Sequence, residues 1–347
     1  MKGRTVHLDS WGDHLAAAML VDGKLDDLLI EDLTGRPVPG AIYRAIVDRP
    51  MKGQGGATLR LPSGRAYLRQ GKGLAPGQAM LVQVTGYSEA GKAVPVTARP
   101  ILKSRHVIVT PGAPGYNVAR GIRDNDRREV LLAIAHDVAG APDGLGLILR
   151  SAAEHAADSE IAEDIAATLD LAQQIADDSG SDPELLVDGP DPHMLAWRDW
   201  PTPDALFAEP GNFADHGILD RIDVLASSHA ELGAHGWISI EPTRALVAVD
   251  VNTGGDTSLS AGLKANIAAA RALPSQLRCR GLGGQITVDF APSPKKDRKV
   301  LEQTLRAAFR DDPVDTVLAG WTPLGCFELQ RKRDRLPLHE LIRETMP

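Results

Sequence analysis

Ala245-Leu246-Val247-Ala248-Val249-Asp250-Val251-Asn252, answered further on by Ile286-Thr287-Val288-Asp289, decides how this chain folds. Each stretch is an apolar run that ends on a carboxylate, the pattern of a buried strand delivering a polar group at its carboxyl end. Side chains alternate along a strand, so Asp250 and Asn252 share one face while Val251 points to the other. Between the runs, Ala261 to Arg280 is rich in Ala, Leu and Arg and long enough for a crossover helix. That order predicts a βαβ unit with parallel strands whose carboxyl ends share an edge. Two carboxylates and a carboxamide gathered there, with Gly254 and Gly255 admitting close backbone approach, suit a hard divalent cation. Mg²⁺ is its natural occupant. A plainer reading stands beside it: Asp250 caps a turn, Asn252 supports it and Asp289 ends a strand.

Working outward, 347 residues with 43% apolar content suffice for two or three domains with a large core and exclude general disorder. No apolar run approaches the roughly 18 residues of a membrane span. The start, Met1-Lys2-Gly3-Arg4-Thr5-Val6-His7, runs into Asp9 and Asp13 without the apolar segment of a signal peptide, so a cytoplasmic location is expected. Cys279 and Cys326 form no Cys-x-x-Cys pair and have no His at zinc-ligand spacing, which predicts buried, reduced thiols.

The net charge of −8 argues against a nucleic-acid partner until it is resolved along the chain. From Arg36 to Arg105 there are 12 Lys/Arg against only Asp48 and Glu89. From Ser151 to Leu263, 22 acidic residues face only Arg198, Arg221 and Arg244; from Lys264 to Arg343, 15 basic residues face 9 acidic ones. Two basic regions flank an acidic one, and the carboxylate site lies at a junction between them. A stretch as one-sided as 36–105 points to a polyanion before it points to ordinary solvated surface.

The runs Leu15 to Val21 and Leu28 to Ile30, separated by Asp22-Gly23, predict a hairpin. Short alternating segments follow at Ala41–Val47, Ala57–Leu61, Ala66–Leu68 and Met80–Val84, with turn signals at Pro62-Ser63-Gly64 and Pro76-Gly77. They predict a small antiparallel module, a five-stranded OB-type barrel. Barrels of this kind stack single-stranded bases on aromatics in a positive groove, and Tyr43, Tyr67 and Tyr87 are the aromatics here; Tyr43 reads better as core. Arg127–His136 and Ser159–Asp178 predict helices, the second amphipathic through Ile161, Ile165, Leu169, Ala172 and Ile175. Pro, Asp and Gly from Gly180 to Asp215 predict an irregular connection. A helix at Lys299–Arg310 and a strand at Thr316–Ala319 close the pattern.

The string Trp237-Ile238-Ser239-Ile240-Glu241-Pro242-Thr243, then Ala245 to Gly254, resembles the catalytic signature of the ribonuclease E/G family. So do Asn266, the run Leu277-Arg278-Cys279-Arg280-Gly281-Leu282-Gly283-Gly284, then Ile286 to Phe290, and Glu328-Leu329-Gln330-Arg331-Lys332-Arg333. Order and approximate spacing hold over about 90 residues, and weaker resemblance covers nearly all the rest. The resemblance implies an α/β multidomain fold: a discontinuous ribonuclease-H-like part, 1–33 with 190–226; an inserted OB-fold RNA-binding domain, 36–98; a sensor region for a 5′ phosphate, 99–186; and a catalytic α/β part, 227–347. It implies Mg²⁺ on Asp250 and Asp289, completed by Asn252, and a terminal phosphate gripped by Arg150 and Ser151. A guanidinium fork suits that task because it can donate two parallel hydrogen bonds.

Departures from the family pattern accompany the likeness. Arg244 stands where an acidic residue is usual. The sequence ends at Pro347, before the position of the Cys pair and small domain through which many members assemble, so the expectation is that a homo-oligomer, if formed, is not zinc-linked. In the barrel, Thr58 replaces one stacking aromatic, Tyr67 keeps the other, and Lys92 matches a basic groove residue. The expected activity is Mg²⁺-dependent hydrolysis of single-stranded, 5′-monophosphorylated RNA in RNA processing or decay, with Arg331 and Arg333 positioning the strand. The alternatives are an RNA-binding relative that has lost efficient cleavage, and a Mg²⁺-dependent phosphohydrolase of small nucleotides. The retained carboxylates count against the first and the basic module against the second.

Overall fold

The structure, a computed structural model, describes residues 2–51, 55–89, 91–142, 144–256 and 258–345, and the statements below concern those residues. Lys52 of the basic stretch, and Met1 and Pro347 at the ends of the expected parts, lie outside them. The chain divides into two compact units, Met1–Thr34 with Pro203–Pro347 and the intervening Gly35–Thr202.

The first unit opens on β1 (Arg4–Trp11), β2 (His14–Val21) and β3 (Lys24–Ile30). The expected hairpin is β2–β3: Val21 pairs with Lys24 across Asp22-Gly23, whose φ angles are 50° and 75°. Positive φ at both turn positions matches the right-handed strand twist, and Asp-Gly accepts it at little cost.

The second unit begins with β4 (Ile42–Pro50), β5 (Ala57–Arg60), β6 (Arg65–Leu68), β7 (Ala79–Val84) and β8 (Val94–Thr97). They run in the order β4-β5-β6-β8-β7, and β7 pairs back to β4, closing a barrel of the expected OB type. Alternation sends Tyr43, Ala45, Val47, Leu59, Ala66, Leu68 and Val82 inward as its core. Next come β9 (Leu102–Lys103), β10 (Val107–Pro111), β11 (Gly115–Val118), α1 (Asn125–Ala139), β12 (Leu145–Leu149) and α2 (Asp158–Ala176). The sheet β11-β12-β10-β9 shares one core with both helices, in which Val107, Leu131, Leu147, Ile161 and Ile165 are fully buried. α1 starts at Asp124, whose carboxylate accepts from the Asp126 and Arg127 N–H groups.

The stretch Gly180–Asp215 carries more structure than its composition predicts: β13 (Glu184–Val187) pairs with β4, and α3 (Pro192–Asp199) follows. The Asp-Pro dipeptide that reads as a loop is here a helix start. Asp191 caps through the Met194 N–H, and Pro192 occupies the first turn, where its missing donor costs nothing.

Back in the first unit, β14 (Ala205–Phe207) joins β1 in parallel, giving a mixed sheet of order β14-β1-β2-β3, and α4 (Asn212–Asp215) and α5 (Ile218–Ala226) follow. Its ribonuclease-H-like character rests on the resemblance alone. The last stretch holds β15 (His229–Glu231), β16 (Trp237–Pro242), β17 (Val247–Asn252), α6 (Leu259–Cys279), β18 (Gly284–Asp289), α7 (Arg298–Arg310), β19 (Thr316–Trp321), β20 (Phe327–Arg331) and α8 (Leu338–Thr345). The sheet order is β15-β16-β17-β18-β20-β19, and β17, α6 and β18 form the predicted βαβ unit with parallel strands. One face of this sheet is apolar and buried with α6 and α7: Ile238, Ile240, Val247, Val249, Val251, Ile286, Val288, Phe327 and Leu329 pack with Leu273, Leu277 and Leu305. Each fully buried aliphatic side chain contributes about 1.5–3 kcal/mol, so this layer pins the register of all six strands. The opposite face is left open and polar.

Candidate active site

Register places the two carboxylates side by side. Asp250 of β17 and Asp289 of β18 are direct partners across the parallel pair, with strand axes roughly 4.8 Å apart. Both are exposed, and both project from the open face because the buried Val249, Val251 and Val288 take the other. Asn252, two residues on and on the same face, donates from Nδ2 to Asp250 Oδ2 at 2.8 Å. The structure brings all three together on one surface, with Asp289 ending its strand and Asn252 supporting Asp250.

What holds them is buried beneath. Asn266 on α6 is 0% exposed, yet each half of its amide is paired: Nδ2 donates to the Ala291 carbonyl and Oδ1 accepts from the Ala291 N–H, both at 2.9 Å. This pair of hydrogen bonds ties α6 to the backbone two residues after Asp289. At the other end of β18, Gly284 has φ of +95° and the Arg333 guanidinium lies over it, where a Cβ would stand 2.5 Å from Nη2. Gly236, with φ of +100°, is pressed against Asn252 so closely that a Cβ would come within 2.0 Å of the Asn252 carbonyl oxygen.

The open face is broader than the motif. Across the strands His229, Ser239, Asp250 and Asp289 form one row, and Glu231, Trp237 and Asn252 another. A third row runs Glu241, Ala248, Thr287 and Glu328. Ser239 Oγ donates to Glu241 Oε1 at 2.8 Å. Burial pushes the Cys326 thiol up, and the nearby Asp289 and Glu328 carboxylates add to it, so Cys326 stays protonated beside the site; both cysteines are free thiols, Cys279 buried and Cys326 half-buried. After β18 the chain turns into Lys295 and Lys296, both exposed, then Arg298, which stacks over the Trp321 ring at 4.6 Å. The His229–Trp237 pair is legible in the sequence as a same-face position, from period-two alternation along β15 and β16; Lys295, Lys296 and Arg298 lie outside those strands, and no periodicity marks them.

The donor set fits a hard cation. Mg²⁺ keeps several waters and takes one or two carboxylates together with phosphate oxygens of its substrate, and Asp250 with Asp289 provide that pair. No group of three or more His, Cys, Asp or Glu able to hold a metal occurs among the described residues, so a cation here needs water and substrate to complete its shell.

Other expected site residues stand elsewhere. Arg331 is a correction: its side chain faces the packed side of the sheet, 2% exposed, donating to Asp312 and to Thr316 Oγ1 at 2.8 Å. It sits on the Phe327–Leu329 side of β20, so alternation alone sends it away from Glu328 and Asp289. Arg150 in the second unit donates to the carbonyls of Ser104, Arg105 and Arg198 and to Asp199 Oδ1, the last at 2.9 Å. Burial would raise the Asp199 carboxyl, but Arg198 and Lys103 hold it at about 2. Ser151 next to it is exposed at the start of a short 3₁₀ turn. In the barrel, Tyr67 pairs across strands with Thr58 and points outward, next to the exposed Arg60–Arg65 pair, and its ring lies against Gly56. Lys92 is exposed and paired with Glu89 at 2.5 Å. Arg244 lies in the turn before β17, at the far end of that strand from Asn252. No described helix is long and apolar enough to cross a membrane.

A family model described as "Ribonuclease E/G family" matches residues 101–206 and 206–334. The chain is 28% identical to the ribonuclease E of a Nostoc species over 96% of its own length and 56% of that relative, and 27% identical to the ribonuclease E of a Synechocystis species, covering 58% of it. It is 26% identical to the ribonuclease G of Escherichia coli, over 95% of this chain and 80% of that protein. The chain thus spans little more than half the length of the two ribonuclease E relatives. The family match covers both halves of the carboxylate site, the intervening Asn266 and the barrel-distal half of the second unit, and the chain belongs to the ribonuclease E/G family.

Proposed function

We propose that this chain is an endoribonuclease that hydrolyses phosphodiester bonds of single-stranded RNA, with Asp250 and Asp289 holding Mg²⁺. The observation that carries this reading is the direct pairing of the two carboxylates on the open face of the sheet, within a family match to ribonucleases. When bound, Mg²⁺ would neutralise charge developing on the attacked phosphate and make a water more acidic. Asp250 and Asp289 hold the cation from adjacent strands. Asn252 fixes the Asp250 carboxylate in place through its Nδ2 donor, leaving its carbonyl oxygen to orient a water. Lys295 and Lys296, on the segment that leaves β18, neutralise neighbouring phosphates, and Arg333 braces the start of that strand. The RNA itself is gathered by the basic outer face of the barrel, where Tyr67 stacks a base beside Arg60 and Arg65 and Lys92 adds charge.

A 5′ monophosphate at Arg150 and Ser151 would have to draw the guanidinium away from Asp199 and three carbonyls. Single-stranded RNAs with 5′-monophosphate and 5′-hydroxyl ends are therefore expected to be cleaved at rates within about threefold of each other; a preference of tenfold or more, about 1.4 kcal/mol, would restore Arg150 as a phosphate ligand. The site itself is tested with Asp289→Asn, expected to remove Mg²⁺-dependent cleavage of a single-stranded RNA while affinity measured in EDTA and the unfolding midpoint stay unchanged. Undiminished cleavage by this variant would refute the assignment.

A further inference from the structure

We propose that His229 and Trp237 form a stacking subsite for one unpaired nucleobase of the RNA that lies across Asp250 and Asp289. This rests on the ribonuclease reading of the same sheet face and adds a residue-level account of how the strand is seated on it.

The two rings sit 4.8 Å apart between centroids, tilted by 31°, on the edge strand β15 and its neighbour β16. His229 is in register with Ser239, which is in register with Asp250; Trp237 is in register with Asn252. Both rings therefore project from the face that carries the carboxylates, Trp237 one strand from Asn252 and His229 two strands from Asp250, roughly 10 Å at ordinary strand spacing. The His229 side chain is 44% exposed and Trp237 is half-buried, so the stack is open to extension by a further ring.

Its position is fixed with respect to the carboxylates. Gly236, just before Trp237, abuts the Asn252 backbone, and Asn252 in turn donates to Asp250. A continuous line of contacts thus runs from indole to carboxylate, and a base stacked on the pair sets how far along the strand the attacked phosphate falls.

Charge identifies the ligand as a base and not a phosphate. Glu231 Oε1 lies 2.8 Å from His229 Nε2 and its side chain is 71% exposed, which places a carboxylate where a phosphate would be repelled. The neutral π-face of a nucleobase meets no such opposition. Stacking is tolerant of base identity, so the subsite contributes position more than sequence preference.

The test is a binding cycle in EDTA, where RNA is held but not cut. A fluorescein-labelled single-stranded RNA of about ten nucleotides is compared with versions carrying one abasic nucleotide at each position in turn. With the intact protein, one position or two adjacent ones, apart from any base stacked on Tyr67, should lose about tenfold in affinity when the base is removed, and should do so equally in a Tyr67→Ala variant. Trp237→Ala should weaken the intact RNA by a similar factor and make those positions no more sensitive than the rest; Trp237→Phe should recover most of the affinity and the sensitivity. His229→Ala, on an exposed edge strand, should give a smaller loss at the same positions and carries the cycle should Trp237→Ala not fold. A flat abasic scan, or a Trp237→Ala protein that keeps the full sensitivity, overturns the subsite while leaving the nuclease reading in place. If the intact protein binds no single-stranded RNA, both readings fall together.

Discussion

Asp312 has a side chain with no exposed surface, and Arg331 and Arg278 both donate to it; Arg278 also reaches Asp26, and Arg335 pairs with Asp27. Burial alone would raise the Asp27 carboxyl, but Arg335 and Arg278 beside it and the Leu28 N–H hold it below the usual range. These groups stabilise one another and not a ligand. Asp312→Ala leaves two guanidinium groups without their carboxylate in a dry layer and is expected to cost about 3–5 kcal/mol in urea unfolding. Arg331→Ala should likewise lower stability, yet leave RNA affinity within twofold at temperatures where it is folded; a large loss of affinity there would return Arg331 to the binding surface. Asp199 makes a separate residue-scale prediction. Its carboxyl is held at about 2, against 3.8 when unconstrained. A carboxyl lowered on folding stabilises above the unfolded value and loses that contribution as pH falls. Between pH 4 and 2 the protein should therefore lose on the order of 2 kcal/mol that an Asp199→Asn variant does not lose. Equal pH slopes for the two proteins would remove this account of the ion cluster.

On the proposed reading, the element that decides activity is the βαβ unit, because α6 covers the sheet and holds the segment that follows β18. Its Asn266 side chain is the link: two hydrogen bonds tie it to the Ala291 backbone after β18, and Asp289 sits two residues earlier. Asn266→Leu is close in volume but leaves the Ala291 N–H and C=O buried without partners, a cost of about 1–3 kcal/mol each. The expected result is a lower unfolding midpoint together with a fall of tenfold or more in kcat, with RNA affinity in EDTA preserved. If kcat is unchanged while stability drops, Asn266 is only structural and the loop does not position the carboxylate.

At the scale of the molecule, the chain leaves the first unit after Thr34 and returns at Pro203, so the second unit is one continuous segment. It contains a closed barrel and a helix-covered sheet with its own buried layer. Residues 35–202 produced alone should therefore unfold in a cooperative transition, whereas the first unit cannot be made from a single uninterrupted segment. The barrel's outward Arg60, Arg65 and Arg69 predict that the isolated segment binds single-stranded RNA with an affinity that falls with salt. Each phosphate neutralised adds about 0.7 to the slope of log affinity against log salt, so replacing Arg60 and Arg65 by Ala should flatten the slope by about 1.4. A salt-independent affinity would mean that the basic stretch is merely solvated surface.

The sequence by itself determined the parts whose signal is local: the Asp22-Gly23 hairpin, the alternating strands of the barrel, the amphipathic α2, and the two apolar runs that bring Asp250 and Asp289 to the ends of strands. Each follows from periodicity or turn chemistry acting within a few residues, and the signature motif added the family. Tertiary structure alone decided the matters of partnership. That Asp250 and Asp289 are neighbours in register depends on which strands pair; that Arg331 is a core ion-pair member depends on which face of β20 meets α7 and Asp312; that Arg150 is bound to Asp199 depends on a helix 40-odd residues later. An arginine reads the same in sequence whether its guanidinium faces a phosphate or a buried carboxylate. Only the fold supplies the partner, because a long flexible charged side chain takes its role from what lies at its far end.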